Sequence, residues 1–149
     1  MSAIKKILVP TDFSEASKAA LKYACELAKA TNASVCILHA VENPYPVEQF
    51  ERSARRELEA FLEAVLTPDE GKQYRARLVL RSGVASQEIL RYLQEHDDVD
   101  IVVMATHGRG GVARLMMGSV ADTLVRTARC PVLTIRVPDV ERTKTRRAA

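Results

Sequence analysis

Two stretches of this chain are apolar on both faces at once, Ser34 to Val41 (SVCILHAV) and Asp100 to Thr106 (DIVVMAT). A strand with one face in water alternates polar and apolar residues. A run that does not alternate belongs to a sheet covered on both sides, and such sheets are parallel, with helices packed over each face. That requirement narrows the architecture more than any other feature of the sequence.

The remaining segments supply the partners. Ile4 to Val9 (IKKILV) is a short strand stopped by Pro10, and Ser14 opens a helix through Ala16, Ala19, Ala20, Tyr23, Ala24, Leu27 and Ala28. After strand two, Pro44 and Pro46 punctuate the chain. Val47, Phe50, Ala54, Leu58, Phe61, Leu62 and Val65 mark a long second helix, which Thr67-Pro68-Asp69-Glu70-Gly71 ends. Tyr74 to Arg81 (YRARLVLR) is strand three and Ala85 to His96 is helix three. Gly118-Ser119 opens helix four through Val120, Leu124, Val125 and Ala128, and Val132 to Val137 (VLTIRV) is strand five. Four strand-helix units and a closing strand predict an α/β fold, an open five-stranded parallel sheet with right-handed crossovers.

Charge decides between two strand orders. In the order 2-1-3-4-5, strand two is an edge and strand three is central, yet strand two is apolar throughout and strand three carries Arg75 and Arg77. The order 3-2-1-4-5 puts the arginines at the edge and is the expected one. It places a switch point between strands one and four, and ligands bind at such points, beyond the carboxyl ends of the strands. The loops to watch run from Pro10 to Ser14 and from Ala105 to Ser119.

Those loops hold most of the informative residues. Gly108, Gly110, Gly111 and Gly118, four of the chain's six glycines, lie within eleven residues. Glycine lets backbone amides approach phosphate oxygens, and the start of helix four favours an anion by about 0.3 to 2 kcal/mol. Ser119 is expected to cap that helix and donate its hydroxyl to a phosphate. The alternative is a simple turn in which Ser119 only caps, with Asp122 completing a capping box. Gly108 to Ala113 also matches GxGxxA, but it precedes the last helix rather than the first, and no acid stands about 20 residues on. No Walker loop is present. At the end of strand one, Asp12 faces the same switch point and offers a carboxylate to a ribose or base; its alternative is to help cap helix one.

Other features exclude rather than assign. The net charge of +3 is that of the last nine residues alone, where four basic residues meet one acid, so the body is close to neutral. With aromatics at only 5%, it lacks a nucleic-acid footprint. Cys25, Cys36 and Cys130 form no CxxC and read as structural thiols. His39 on strand two reads as a core histidine, His96 as a helix-end residue, and His107 as a loop residue rather than a base. The apolar segments are too short for a signal peptide or a membrane helix, and the chain is expected to be a cytoplasmic single domain over 1–138 with a basic, disordered tail over 139–149.

The segments ILVPTDFS, SVCILHAV, GVASQEIL, DIVVMATHGRGG, LMMGSVADTLVR and CPVLTIRV resemble the universal stress protein family, of the UspA type, along Ile4 to Val137. Its nucleotide-binding members carry glycine, two residues, glycine, nine residues, glycine and then serine or threonine. Gly108, nine intervening residues, Gly118 and Ser119 reproduce this spacing, and Ala105 stands where the first glycine is expected. The resemblance implies a Rossmann-like sheet of the adenine nucleotide alpha hydrolase type that binds ATP, with Mg2+ or Mn2+. It implies that Asp12, Ala40 and Val41 hold the nucleoside and that Gly108, Gly118, Ser119 and Val120 hold the phosphates. Pro10, Thr11, Ala105, His107 and Arg109 in the same loops complete the set. It also implies a stress-response module that regulates rather than catalyses; a slow ATP hydrolase or phosphotransfer enzyme and a nucleotide-free interaction dimer are the alternatives. A homodimer is expected through strand five, an edge with one charge among Val132 to Val137.

Overall fold

The computed structural model describes residues 3–42, 45–107 and 117–136. In chain order the elements are β1 (Lys6–Pro10), α1 (Glu15–Thr31), β2 (Ser34–Val41), α2 (Glu51–Val65), α3 (Pro68–Gln73), β3 (Arg77–Ser82), α4 (Ala85–Glu95), β4 (Ile101–Ala105), α5 (Ser119–Thr127) and β5 (Val132–Ile135). The strands form one parallel sheet in the order β3-β2-β1-β4-β5. This is the order that the charge on strand three required.

Period-two alternation divides each central strand between two cores. Ile7 and Val9 of β1, Val35 and Ile37 of β2 and Val103 of β4 face α1 and α2, where they meet Leu21, Ala24, Ala28, Leu58 and Phe61. Leu8, Cys36, Leu38, Val102 and Met104 face the other way, onto Ile89, Tyr92 and Leu93 of α4 and Ala121 and Leu124 of α5. The small residues Ala20, Ala24 and Ala28 recur every four positions on the buried stripe of α1, which lets that helix lie close over β1 and β4. Each large side chain so buried contributes about 1.5 to 3 kcal/mol.

The structure differs from the sequence expectation in the region of 67–77. Thr67 to Gly71 does end α2, but the same residues begin α3. The Thr67 hydroxyl accepts from Glu70 N–H at 3.2 Å, the Glu70 carboxylate accepts from Thr67 N–H at 3.0 Å, and Pro68 stands at the first helical position. Strand three consequently starts later, at Arg77. Arg75 is not on it: its φ of 47° places it in a left-handed turn, where its guanidinium donates to the Asn32 carbonyl at the end of α1, 3.0 Å away. Charge on the β3 edge comes from Arg77 and from Arg81, whose guanidinium bonds Glu95 at 2.7 Å. β5, the opposite edge, carries no charge over Val132–Ile135.

Cys25 and Cys36 are buried. Burial pushes the Cys25 thiol up to about 12, and the Cys36 thiol lies 3.4 Å from the Tyr92 hydroxyl. His96 closes α4, its ring stacked on Tyr92 at 3.9 Å. The basic tail lies outside the described residues. Among the described residues, no helix is long and apolar enough to cross a membrane.

Candidate functional site at the switch point

β1 and β4 run side by side, with Ile7 opposite Ile101 and Leu8 opposite Val102. Their carboxyl ends therefore release the two loops next to one another, with the ends of β2 and β5 on either flank.

The loop after β1 is tied down by its own polar groups. Thr11 N–H donates to the Leu38 carbonyl at 2.9 Å and so prolongs the β1–β2 ladder by one residue. The Thr11 hydroxyl accepts from Phe13 N–H at 3.0 Å. Asp12 Oδ1 accepts twice, from Ser14 N–H at 3.0 Å and from the Ser17 hydroxyl at 2.7 Å. Ser14 caps α1, its hydroxyl accepting from Ser17 N–H at 3.1 Å. Asp12 thus takes part in the capping arrangement, and it does so beside the switch point. Phe13 has a φ of 67°, a left-handed conformation that costs a side-chain-bearing residue about 1 to 3 kcal/mol.

The end of β2 borders this loop. Ala40 and Val41 are half-buried and pair with Arg81 and Ser82 of β3. The preceding residue, His39, reaches across with Nδ1 to the Thr11 carbonyl at 2.8 Å. Glu42, one residue further, accepts from Ala85 N–H at 3.0 Å and so occupies the start of α4. Neither contact is signalled in the sequence, because each depends on a partner that is distant along the chain.

The two ends of the loop after β4 are tied through their backbone. Thr106 N–H donates to the Ile135 carbonyl at 3.0 Å, and Gly118 N–H returns to the Thr106 carbonyl at 2.6 Å, which brings the start of α5 back to the end of β4. Ala105 is half-buried and ends β4; the left-handed φ values among described non-glycine residues are those of Phe13, Asn32 and Arg75. Alanine is therefore accommodated at the position where the family pattern has glycine. His107 is half-buried with Nδ1 at 3.1 Å from the Thr106 hydroxyl. Gly108 and Arg109 lie outside the described residues.

One expectation is corrected at α5. Ser119 is not the cap: it is the first helical residue, and Gly118 takes the cap position without a side-chain hydrogen bond. The first intrahelical bond runs from Asp122 N–H to the Gly118 carbonyl at 2.9 Å, so the amides of Ser119, Val120 and Ala121 precede it and point out of the helix end. The Asp122 carboxylate accepts from Arg126 at 3.1 Å instead of completing a capping box. Ser119 is exposed, and Val120 is half-buried against the α4–α5 core.

Sequence and structure comparisons agree with this architecture. The family model described as "Universal stress protein family" matches residues 3–136. Universal stress protein MJ0531 of Methanocaldococcus jannaschii is 32% identical over 145 residues, covering 92% of this chain and 85% of its own. A universal stress protein solved in complex with cAMP superposes with a TM-score of 0.69 at 21% identity, covering 90% of this chain and 98% of that one. A universal stress protein family protein from Arabidopsis thaliana, solved with AMP bound, has a TM-score of 0.59 at 19% identity, with 92% and 94% covered. On the strength of a match that spans nearly the whole chain, the sheet order and the shared sequence, this chain belongs to the universal stress protein family.

Proposed function

We propose that this protein is an adenine-nucleotide-binding module of the cytoplasm, with ATP as its nucleotide, whose output is occupancy rather than turnover. The observation that carries the proposal is the pairing at the switch point of a side-chain-braced acidic loop, Thr11 to Ser14, with a helix start capped by glycine. A carboxylate suits the hydroxyls of a ribose or the edge of a base, and outward-pointing amides suit phosphate oxygens. Two relatives of the same fold were solved with cAMP and with AMP, which supports an adenine nucleotide here. In this reading the nucleoside meets Pro10, Thr11, Asp12, Ala40 and Val41, and the phosphates meet the segment from Ala105 through Val120. The described residues contain no group of three His, Cys, Asp or Glu side chains suited to a metal, so Mg2+ or Mn2+ would arrive held mainly by the phosphates and water.

Calorimetry with ATP tests the proposal. Wild type is expected to bind and Gly118→Val to lose binding. The cap φ of −59° and ψ of 158° are open to valine, so the variant should fold, but its branched side chain stands where phosphate would approach the amides. Equal affinity in two folded proteins would refute it. A slow hydrolase is the rival, and phosphate release at tens of turnovers per second would favour it over a binding module.

The uncharged edge of β5 supports pairing with a second copy of the chain about a twofold axis. Sedimentation at micromolar concentration should give a dimer that Thr134→Pro weakens; a wild-type monomer would refute the pairing.

A further inference from the structure

The loop that carries Asp12 holds a conformation that its own residues disfavour, since Phe13 sits at a φ of 67°. Groups from outside the loop hold it there. The Phe13 ring lies 4.1 Å from the His39 ring, tilted by 32°, and 5.7 Å from the ring of Phe61 on α2. The same His39 places Nδ1 at 2.8 Å from the Thr11 carbonyl. A carbonyl oxygen only accepts, so Nδ1 carries the proton and donates. One imidazole therefore grips the loop on both sides of Asp12: its N–H fixes the backbone at Thr11, and its face backs the strained residue at 13. With both neighbours fixed, the Asp12 carboxylate has its direction set before a ligand arrives, and Ser14 N–H and the Ser17 hydroxyl complete its seat.

We infer that His39 and Phe13 are positioning residues for the nucleoside end of the site, and that through the contact of Phe13 with Phe61 the helix α2 bears on nucleotide affinity; this rests on the adenine-nucleotide reading. None of the three side chains needs to touch the ligand. A histidine that merely fills the core would contribute stability with no bearing on affinity, and the two roles separate in experiment.

The test is ATP calorimetry on the full chain, with melting curves run in parallel, for wild type, His39→Phe, His39→Asn and Phe61→Leu. His39→Phe keeps an aromatic face for Phe13 but has no donor, and should weaken ATP about 3- to 10-fold, the range of one net hydrogen bond. His39→Asn, whose amide nitrogen can take the place of Nδ1, should recover affinity to within about twofold even if its melting temperature stays low. Phe61→Leu keeps apolar bulk behind Phe13 and should weaken ATP by about twofold or more. A folded His39→Phe with wild-type affinity overturns the inference while leaving the nucleotide reading intact; a wild type that binds no adenine nucleotide overturns both. If His39→Phe does not fold, nitrogen NMR of the wild-type imidazole decides: a protonated Nδ1 whose signal moves on ATP addition supports the inference, and an unprotonated Nδ1 or an unmoved signal overturns it.

Discussion

Two helices begin beside the switch point, and they begin differently. α1 is capped by a side chain, with Ser14 accepting from Ser17 N–H and Asp12 tied to both residues. α5 has glycine at the cap and, among the described residues, no side-chain hydrogen bond there. A side-chain cap satisfies a donor that the helix leaves unpaired and stabilises by about 1 kcal/mol, whereas a glycine cap leaves the amides to water or to a ligand. The first start is completed by side chains of its own loop; among the described residues the second is not. In the proposed site this divides the labour, with side chains preshaping the nucleoside end and backbone receiving the phosphates.

The contrast can be broken most readily at Asp12. Asp12→Ala removes the acceptor of two hydrogen bonds at the start of α1 as well as the proposed ribose contact. Urea unfolding should show a loss of about 2 kcal/mol, and ATP affinity should fall about tenfold or more. A variant that retains both would remove the distinction between the two helix starts.

A pair of serine variants sharpens the contrast. Ser14→Ala deletes a true cap and should cost about 1 kcal/mol of stability. Ser119→Ala deletes a side chain that caps nothing, so stability should move by less than about 0.5 kcal/mol while ATP weakens several-fold. Stability and affinity measured on both proteins should cross over, and parallel losses would contradict the comparison.

Ala105→Gly is expected to do less. The alanine ends a strand with no left-handed requirement, so glycine adds no needed freedom and should lower stability by about 0.5 kcal/mol, with affinity unchanged within about twofold. A large gain in affinity would mean that the missing glycine of the family pattern matters for close approach.

The smallest effect is a control at the opposite end of the sheet. Lys6 bonds the Asp98 carboxylate at 3.0 Å and holds it below the usual aspartate range. A carboxyl with a lowered folded-state pKa contributes stability above its unfolded value, near 4, and loses that contribution as pH falls through the folded one. Asp98→Asn should therefore cost a few tenths of a kcal/mol at pH 7, nothing at about pH 2, and leave ATP affinity unchanged.

The sheet was readable because its signals are local and redundant. Doubly apolar runs mark β2 and β4 as interior, and arginines mark β3 as an edge, which together order the strands. The short α3 was equally legible, since Thr67-Pro68-Asp69-Glu70 is a capping box with proline at the first position, but its glycine and acids also read as the end of α2. Arg75 misled because charge in a strand and charge in a left-handed turn look alike until a partner such as the Asn32 carbonyl is placed. At the site, the place of Asp12 at the end of β1 and the start of α5 at Gly118-Ser119 were legible in the sequence, whereas the bond from Gly118 N–H to the Thr106 carbonyl was not. The cap at α5 falls one residue before the serine that the sequence suggests, because serine is the commoner cap and nothing local shows that Gly118 takes the position. The grip of His39 on Thr11 was not legible, because 28 residues separate the two and only the β1–β2 register brings them together.

The central place of β1 also sets a timetable for synthesis. It leaves the ribosome before both of its neighbours, and it needs β2 on one side and β4 on the other. Its Lys6 N–H donates to the Asp100 carboxylate, 94 positions later. At about 5 to 20 residues per second, roughly 5 to 20 seconds pass before that partner exists. During that time the apolar Ile7 to Val9 has one open flank, so a nascent chain stalled before β4 is the species that a chaperone should hold longest.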